Sequence, residues 1–160
     1  MQKKYFPLVI VVLVLVTTAC LCTGTGLATP TSVPQQQEQP ANSVKPSGII
    51  TEVVMAKDTA GDTLEPVDPT MVFGPDSTIH AVAKIEDAPV NTKFTAAFYV
   101  VDIGDAADPG QLVSSYDLTA DGTRNLDFTL SPTTSWPTGT YRVEISVNGV
   151  VDQVVEYFVQ

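Results

Sequence analysis

The sequence predicts an all-β fold, an antiparallel β-sandwich of about seven strands. Polar and apolar residues alternate in several segments between Ile49 and Gln160, and this period of two is typical of half-buried strands. Turn-forming Gly, Pro, Asn and Asp residues recur about every ten residues, the spacing expected of a sandwich. No segment has the periodicity of an amphipathic helix, which argues against a parallel α/β sheet.

The first 20 residues predict an export signal. Lys3 and Lys4 give a positive start, residues 8–16 form an uninterrupted apolar run, and small residues precede Cys20. The apolar run is shorter than the ~20 residues that a bilayer-spanning helix needs. The N-terminal segment is therefore expected to be a signal helix.

The stretch Val16-Thr17-Thr18-Ala19-Cys20 resembles a bacterial lipobox, although Thr17 stands where that family usually has an aliphatic residue. The resemblance implies a lipoprotein signal peptide over residues 1–19 and acylation of Cys20. It also implies anchoring to the bacterial cell membrane or envelope, outside the cytoplasm. Acyl chains contribute ~0.8 kcal/mol per buried methylene, so a diacylated cysteine gives a stable anchor. The alternative is an uncleaved signal anchor.

Residues 20–47 predict a disordered Thr/Pro/Gln-rich tether. This stretch has almost no large apolar residues, so it has too little surface to bury to offset the entropy of ordering. The folded domain is expected over residues 48–160.

The strands are predicted in chain order as follows. Residues 49–56 form a first strand, residues 57–68 a polar loop, and residues 71–73 a short apolar patch. Residues 78–86 form the next strand. Residues 93–102 follow, and because this strand is apolar on both faces it is expected to be central or covered.

A weaker strand comes next, over residues 112–118, and a further strand follows over residues 124–130. Asp87-Ala88-Pro89 and Ala120-Asp121-Gly122 are predicted to turn the chain.

The last two strands are predicted to form a hairpin around Asn148-Gly149, because both residues tolerate positive φ. A two-residue loop would place Tyr141 opposite Glu156. The favoured register instead has a type I turn with a bulge at Val150, and it keeps apolar residues on one face. Its pairs are Val147 with Val151, Val143 with Val155, and Tyr141 with Tyr157.

The domain resembles bacterial immunoglobulin-like domains found on lipoproteins. The matching pieces are residues 73–76, 136–144, 148–149 and 156–159. The resemblance implies an immunoglobulin-like sandwich over residues 48–160 and no catalytic residues. Tyr141 is either a tyrosine corner, whose hydroxyl bonds back to nearby backbone, or simply a large core residue.

Composition excludes several functions. A formal charge of -10 argues against nucleic acid as a partner. Both cysteines, Cys20 and Cys22, precede the domain, so it has no disulfide, cysteine nucleophile or zinc site. His80 is the single histidine, and it is interpreted as an exposed strand residue; no G-x-S-x-G motif accompanies it. We expect a protein that is not an enzyme and needs no cofactor.

Asp102, Asp105 and Asp108 stand three apart in a loop that contains glycine. Calcium prefers carboxylate and carbonyl oxygens in such loops, so these residues are the calcium candidates. A solvated acidic loop is the other interpretation.

Three functions are compatible with these features. The first is a tethered, non-catalytic domain for protein recognition, adhesion or envelope assembly, with an exposed apolar patch near Tyr99, Val101 or Trp136. The second is a small-ligand or glycan-binding accessory module, supported by calcium at the Asp loop. The third, a hydrolase, lacks a recognisable motif. The membrane, through the lipid, and a protein of unknown identity are the expected partners.

Overall fold

The computed structural model describes residues 43–160. The predicted signal helix, Cys20 and most of the tether lie outside these residues. Residues 43–160 form seven strands: β1 (Ile50–Ala60), β2 (Glu65–Pro69), β3 (Val72–Phe73), β4 (Ile79–Asp102), β5 (Leu112–Leu130), β6 (Gly139–Val147) and β7 (Val150–Val159). The predicted all-β class with about seven strands is confirmed.

Helical structure in the described part is limited to one 3-10 turn, Gly104–Ala106. None of the helical structure between residues 43 and 160 has the length and apolar character that a bilayer span requires.

The strands form one curled, mixed sheet in the order β2-β1-β4-β6-β7-β3, and β5 lies beside β4. All pairs are antiparallel except β3 and β7, where Val72 lies beside Phe158 in parallel. The prediction of a purely antiparallel sheet is wrong at this pair. The two strands are far apart in the chain, so no hairpin dictates their relative direction.

Strands β4 and β5 are each longer than predicted. The predicted turns at residues 87–89 and 120–122 are wrong. The chain does not reverse at either place; it continues as β4 and β5 and only bends there. Asp87 and Asn91 have φ of 50° and 63°, Gly122 has φ of 66°, and the β4–β5 register shifts in this region. Single left-handed residues and bulges bend a strand without ending it. As a result, the first half of β4 lies beside β1 and the second half beside β6.

The stretch predicted as a polar loop, residues 57–68, contains the end of β1 and most of β2. Asp58 pairs with Val67 in an antiparallel hairpin. The turn is closed by the Leu64 N–H, which donates to the Gly61 carbonyl oxygen at 3.3 Å.

One continuous apolar core covers one face of the curled sheet. Phe94, Phe98 and Tyr141 are buried, as the alternating pattern predicts, and so are Leu126 and Phe128 of β5. Burial of apolar surface stabilises the fold by about 25 cal/mol per Å² and is its main stabilising contribution.

The β6–β7 hairpin has the predicted register over most of its length, with Tyr141 opposite Tyr157 and Val143 opposite Val155. Near the turn the prediction is wrong, because Val147 pairs with Val150. Asn148 and Gly149 both have positive φ, 50° and 83°, which permits a two-residue turn whose twist matches the strands.

The extra residue of the hairpin is Asp152 rather than Val150. This bulge buries the Asp152 side chain completely. Its Oδ2 accepts a hydrogen bond from the Ser47 N–H. Lys45 N–H likewise donates to the Val151 carbonyl oxygen at 2.9 Å, so packing against β7 begins within the predicted tether.

Tyr141 is a buried core residue, as one interpretation predicted, and it also makes the bond back to nearby backbone that the other predicted. Its hydroxyl donates to the Pro137 carbonyl oxygen at 2.8 Å. This bond fixes the loop that enters β6.

Candidate functional site

The predicted calcium candidates lie on the loop between β4 and β5. Asp102, Asp105 and Asp108 are exposed, and Asp102 Oδ1 accepts a hydrogen bond from Gly104 N–H at 3.1 Å. Between residues 43 and 160, no three His, Cys, Asp or Glu side chains are grouped so that they could hold a metal ion. The calcium site therefore stays a prediction from the sequence alone.

His80 is not the exposed strand residue that the sequence predicts. Its side chain is only 12% exposed, and Nδ1 lies 2.8 Å from Asp127 Oδ2 on the neighbouring strand β5. Thr129 Oγ1 donates to the same carboxylate oxygen at 3.1 Å, and Thr59 Oγ1 does so at 3.4 Å. The prediction failed because β1 brings Thr59 to this carboxylate from the other side, a contact invisible in local sequence.

The His80–Asp127 pair does not have the geometry of a catalytic triad. In a triad, one imidazole nitrogen faces the carboxylate and the other faces the nucleophile. Here Thr129, at 3.5 Å, lies on the same nitrogen as Asp127, so His80 is not placed to take its proton through Nε2. The arrangement instead ties β4, β5 and the β1–β2 hairpin together.

The outer face of β4, β6 and β7 carries a second cluster. Arg142 Nε donates to Glu144 Oε1 at 2.8 Å, and the guanidinium carbon lies 4.8 Å from the Tyr99 ring centroid. The Arg142 and Glu144 side chains are only 20% and 11% exposed. A cation stacked on an aromatic ring and bonded to a carboxylate is held in one geometry.

Exposed apolar side chains surround this cluster. Val72, Val154 and Phe158 are 43%, 39% and 41% exposed. Val72 and Phe158 are paired neighbours, and Val154 lies two positions from Glu156, which is opposite Arg142. We call this surface the recognition face; it comprises Val72, Tyr99, Arg142, Glu144, Val154, Glu156 and Phe158.

The sequence identified only part of this surface. Tyr99 and Val101 were predicted to contribute to an exposed patch, and both are half-buried. Trp136 is not a member of it, because its Nε1–H donates to the Ser77 carbonyl oxygen at 3.0 Å and its ring packs on the core. Val72 was missed because only the parallel β3–β7 pairing brings it beside Phe158.

A groove of about 570 Å³ lies between the β1–β2 turn and the middle of β5. Leu64, Leu118 and Leu126 give it apolar lining. Its charged lining residues are of both signs, Lys84 and Arg124 against Asp62 and Glu65. Asn125 Nδ2 donates to the Thr63 carbonyl oxygen at 2.9 Å and so fixes one wall.

No protein-family model matches the chain, and no curated protein matches its sequence. Among solved structures, the chain is similar to the Pseudomonas fluorescens alkylpurine DNA glycosylase AlkC bound to DNA containing an abasic site analog. The identity is 15% over 68% of this chain and 30% of that one, with a TM-score of 0.40. It is also similar to a β-glucosidase from Listeria innocua in complex with glucose, at 12% identity over 68% of this chain and 16% of that one, with a TM-score of 0.41. The chain thus spans less than a third of either protein, and likenesses at these scores assign it no activity.

Proposed function

We propose that this protein is an extracytoplasmic lipoprotein, anchored through Cys20, whose domain recognises another protein and catalyses no reaction. Residues 20–47 serve as the tether. The lipobox-like residues 16–20 support the anchor, and the Pro- and Gln-rich composition supports the tether.

We also propose that the domain has an immunoglobulin-like arrangement. Two observations support it. First, β1 and β2 accompany the first half of β4, whereas β6, β7 and β3 accompany the second half, as in two facing sheets joined by shared strands. Second, the Tyr141 hydroxyl bonds back to Pro137 before its strand, as a tyrosine corner does.

The recognition face is the observation that carries the proposed function. Protein interfaces concentrate aromatic residues and arginine at their centre, with apolar residues packed around them. Tyr99 and Arg142 form such a centre, and Phe158 provides an exposed aromatic ring beside it. The partial burial of the Arg142–Glu144 pair means that little further ordering is needed on binding.

The charge of the chain indicates the chemistry of the partner. Of the 18 acids, 17 lie within residues 43–160, against six of the eight Lys and Arg residues. Glu156 is exposed on the recognition face itself. The proposed partner therefore presents an apolar pocket for Phe158 beside a basic side chain for Glu156, and complementary charge speeds their association.

Affinity capture from membranes with Phe158→Ser tests this proposal. Phe158 is 41% exposed, so the variant is expected to fold and to lose the partner. Val150→Ser is the matched control, since Val150 is 49% exposed but lies at the β6–β7 turn. Partner recovery that is equal for both variants would contradict the recognition face.

The groove beside β5 favours a second candidate function, the binding of a small ligand or glycan. Its volume of about 570 Å³ and its mixture of leucines with charged residues of both signs suit a ligand with an apolar body and polar groups. A glycan-array or small-molecule binding assay with Arg124→Ala tests this alternative. Binding that does not change in the variant would count against the groove.

A further inference from the structure

We infer that the free edge of β5 accepts an extended segment of a partner protein, one with apolar residues at alternate positions and basic residues near an end. The inference extends the proposed protein recognition to a second surface. We call residues 114–120 the β5 edge. Within the described part of the chain, β5 pairs with β4 only, so its other side is unpaired.

Two other edges of the sheet, those of β2 and β3, are protected against strand addition. The β2 edge contains Pro66 and Pro69, which lack N–H donors, and Asp68 with a φ of 50°. The β3 edge is two residues long. Such features are the usual means by which proteins blunt exposed edges, and the β5 edge contains no proline, lysine or glycine.

The β5 edge is also regular enough to serve as a template. Its pairing with β4 is continuous from Thr92↔Ala120 to Phe98↔Ser114, and register shifts occur on either side of this stretch. In an antiparallel strand every second residue directs its N–H and C=O away from its partner. The edge is longer than a typical strand of 5–6 residues. It is therefore long enough to pair with a peptide that adds one strand to the sheet.

Two side chains at this edge extend the apolar core into solvent. Tyr116 packs edge-to-face on Phe98 with ring centroids 6.2 Å apart, and Leu118 is paired with Phe94. Phe94 and Phe98 are fully buried, whereas Tyr116 and Leu118 are 38% and 37% exposed. Apolar side chains of an added strand would cover these two residues and continue the core.

Charge distinguishes a basic segment from a second copy of this chain. The exposed Asp105 and Asp108 lie on the loop that leads into β5 and form a negative flank for the edge. Two copies meeting at this edge would bring those flanks and their excess of acids together, which is unfavourable. Asp117 does not add to this repulsion, because Lys93 Nζ lies 2.9 Å from its Oδ2 and neutralises it.

Selection of a random peptide display library on the full-length protein in detergent micelles tests the inference. We expect enriched peptides to alternate apolar and polar residues and to carry Lys or Arg near one end. A peptide so selected should slow hydrogen exchange at alternate amides of residues 114–120. Leu118→Asp should weaken its binding by about tenfold or more, although the added negative charge attracts a basic peptide. Val150→Asp, which makes the same change at the β6–β7 turn, should not.

The outcomes separate this inference from the proposed recognition face. Failure to enrich such peptides, exchange protection elsewhere, or equal binding to Leu118→Asp would overturn strand addition at β5. Dimerisation of the protein through this edge, seen by light scattering and abolished by Leu118→Asp, would identify a second copy as the occupant and also overturn it. If Phe158→Ser loses the membrane partner and Leu118→Asp does not, the proposed role of the recognition face stands even when strand addition at β5 is overturned.

Discussion

Tyr141 and Tyr157 stack across the β6–β7 hairpin, with ring centroids 5.6 Å apart and ring planes 14° from parallel. Both rings are buried, but their hydroxyls differ. The Tyr141 hydroxyl donates to Pro137, whereas the buried Tyr157 hydroxyl has no hydrogen-bond partner in the described part of the chain. The same chemical change at the two positions therefore has opposite consequences for stability.

Tyr141→Phe should lower the free energy of unfolding by about 0.5–1.5 kcal/mol, because the Pro137 carbonyl loses its donor. Tyr157→Phe removes an unsatisfied polar atom and should leave stability unchanged or raise it by up to about 1 kcal/mol. Urea unfolding of the two variants measures the difference. A larger loss in Tyr157→Phe than in Tyr141→Phe would mean that the corner bond does not stabilise the domain.

Burial raises the pKa of Tyr157 far above its ordinary value of 10.0, and burial also raises that of Tyr141. A raised pKa in the folded state favours the protonated form, so this contribution to stability is complete below pH 10 and is lost as the pH rises further. Absorbance of tyrosinate during an alkaline titration should show these two tyrosines ionising together with unfolding. Ionisation of all the tyrosines before unfolding would contradict the prediction.

Gly139→Ala should destabilise the domain by about 2–4 kcal/mol. Gly139 has a φ of 144°, and an added Cβ would overlap the Asp102 carbonyl oxygen and lie 2.9 Å from Ile103 Cα. Gly74→Ala is the control, because its Cβ would meet only Ser77 Oγ at 3.4 Å. Thermal unfolding compares the two variants, and equal stability would show that β4 and β6 do not approach so closely.

Removal of either side chain of the His80–Asp127 pair should lower the free energy of unfolding by about 1–3 kcal/mol. The double variant should be about 1 kcal/mol more stable than the sum of the two single losses predicts. Both side chains are nearly buried, so they are little screened by solvent. The Lys84–Glu86 pair, at 3.7 Å and half exposed, is the control and should show almost no coupling. Strict additivity for His80 and Asp127 would mean that the pair does not act as a unit.

Local alternation was sufficient to predict which residues of β6 are buried, whereas the second half of β4 is apolar on both faces and only its central or covered position could be predicted. Phe94, Phe98 and Tyr141 lie on the core face because successive side chains of a strand point to opposite sides. The same pattern fixed the pairing of Tyr141 with Tyr157, since any odd shift would have moved polar residues into the core.

Features created by distant parts of the chain could not be predicted in this way. Asp87-Ala88-Pro89 suggests a turn in sequence, yet pairing with β5 on one side keeps β4 extended through it. The burial of His80 depends on Asp127 and Thr59, which come from two other strands. The β5 edge was invisible for the same reason, because only the whole sheet shows which strand lacks a neighbour.

The proposed lipid anchor has a direct test. Mass spectrometry of the membrane-bound protein should find an acylated N-terminal peptide beginning at Cys20. Cys20→Ser should release the domain from membranes or leave an unprocessed precursor, whereas Cys22→Ser should not change the lipid. An intact Met1 terminus on the mature protein would exclude the lipoprotein assignment.

Site-specific photo-crosslinking in living cells tests the recognition face most directly. A photoreactive phenylalanine analogue at position 158, with a second variant at position 150 as control, reports contacts at each site in the anchored protein. We predict one discrete protein adduct from position 158, lost when Arg142 and Tyr99 are replaced by alanine, and none from position 150. The absence of an adduct at position 158, or the same adduct at both positions, would contradict protein recognition through this face.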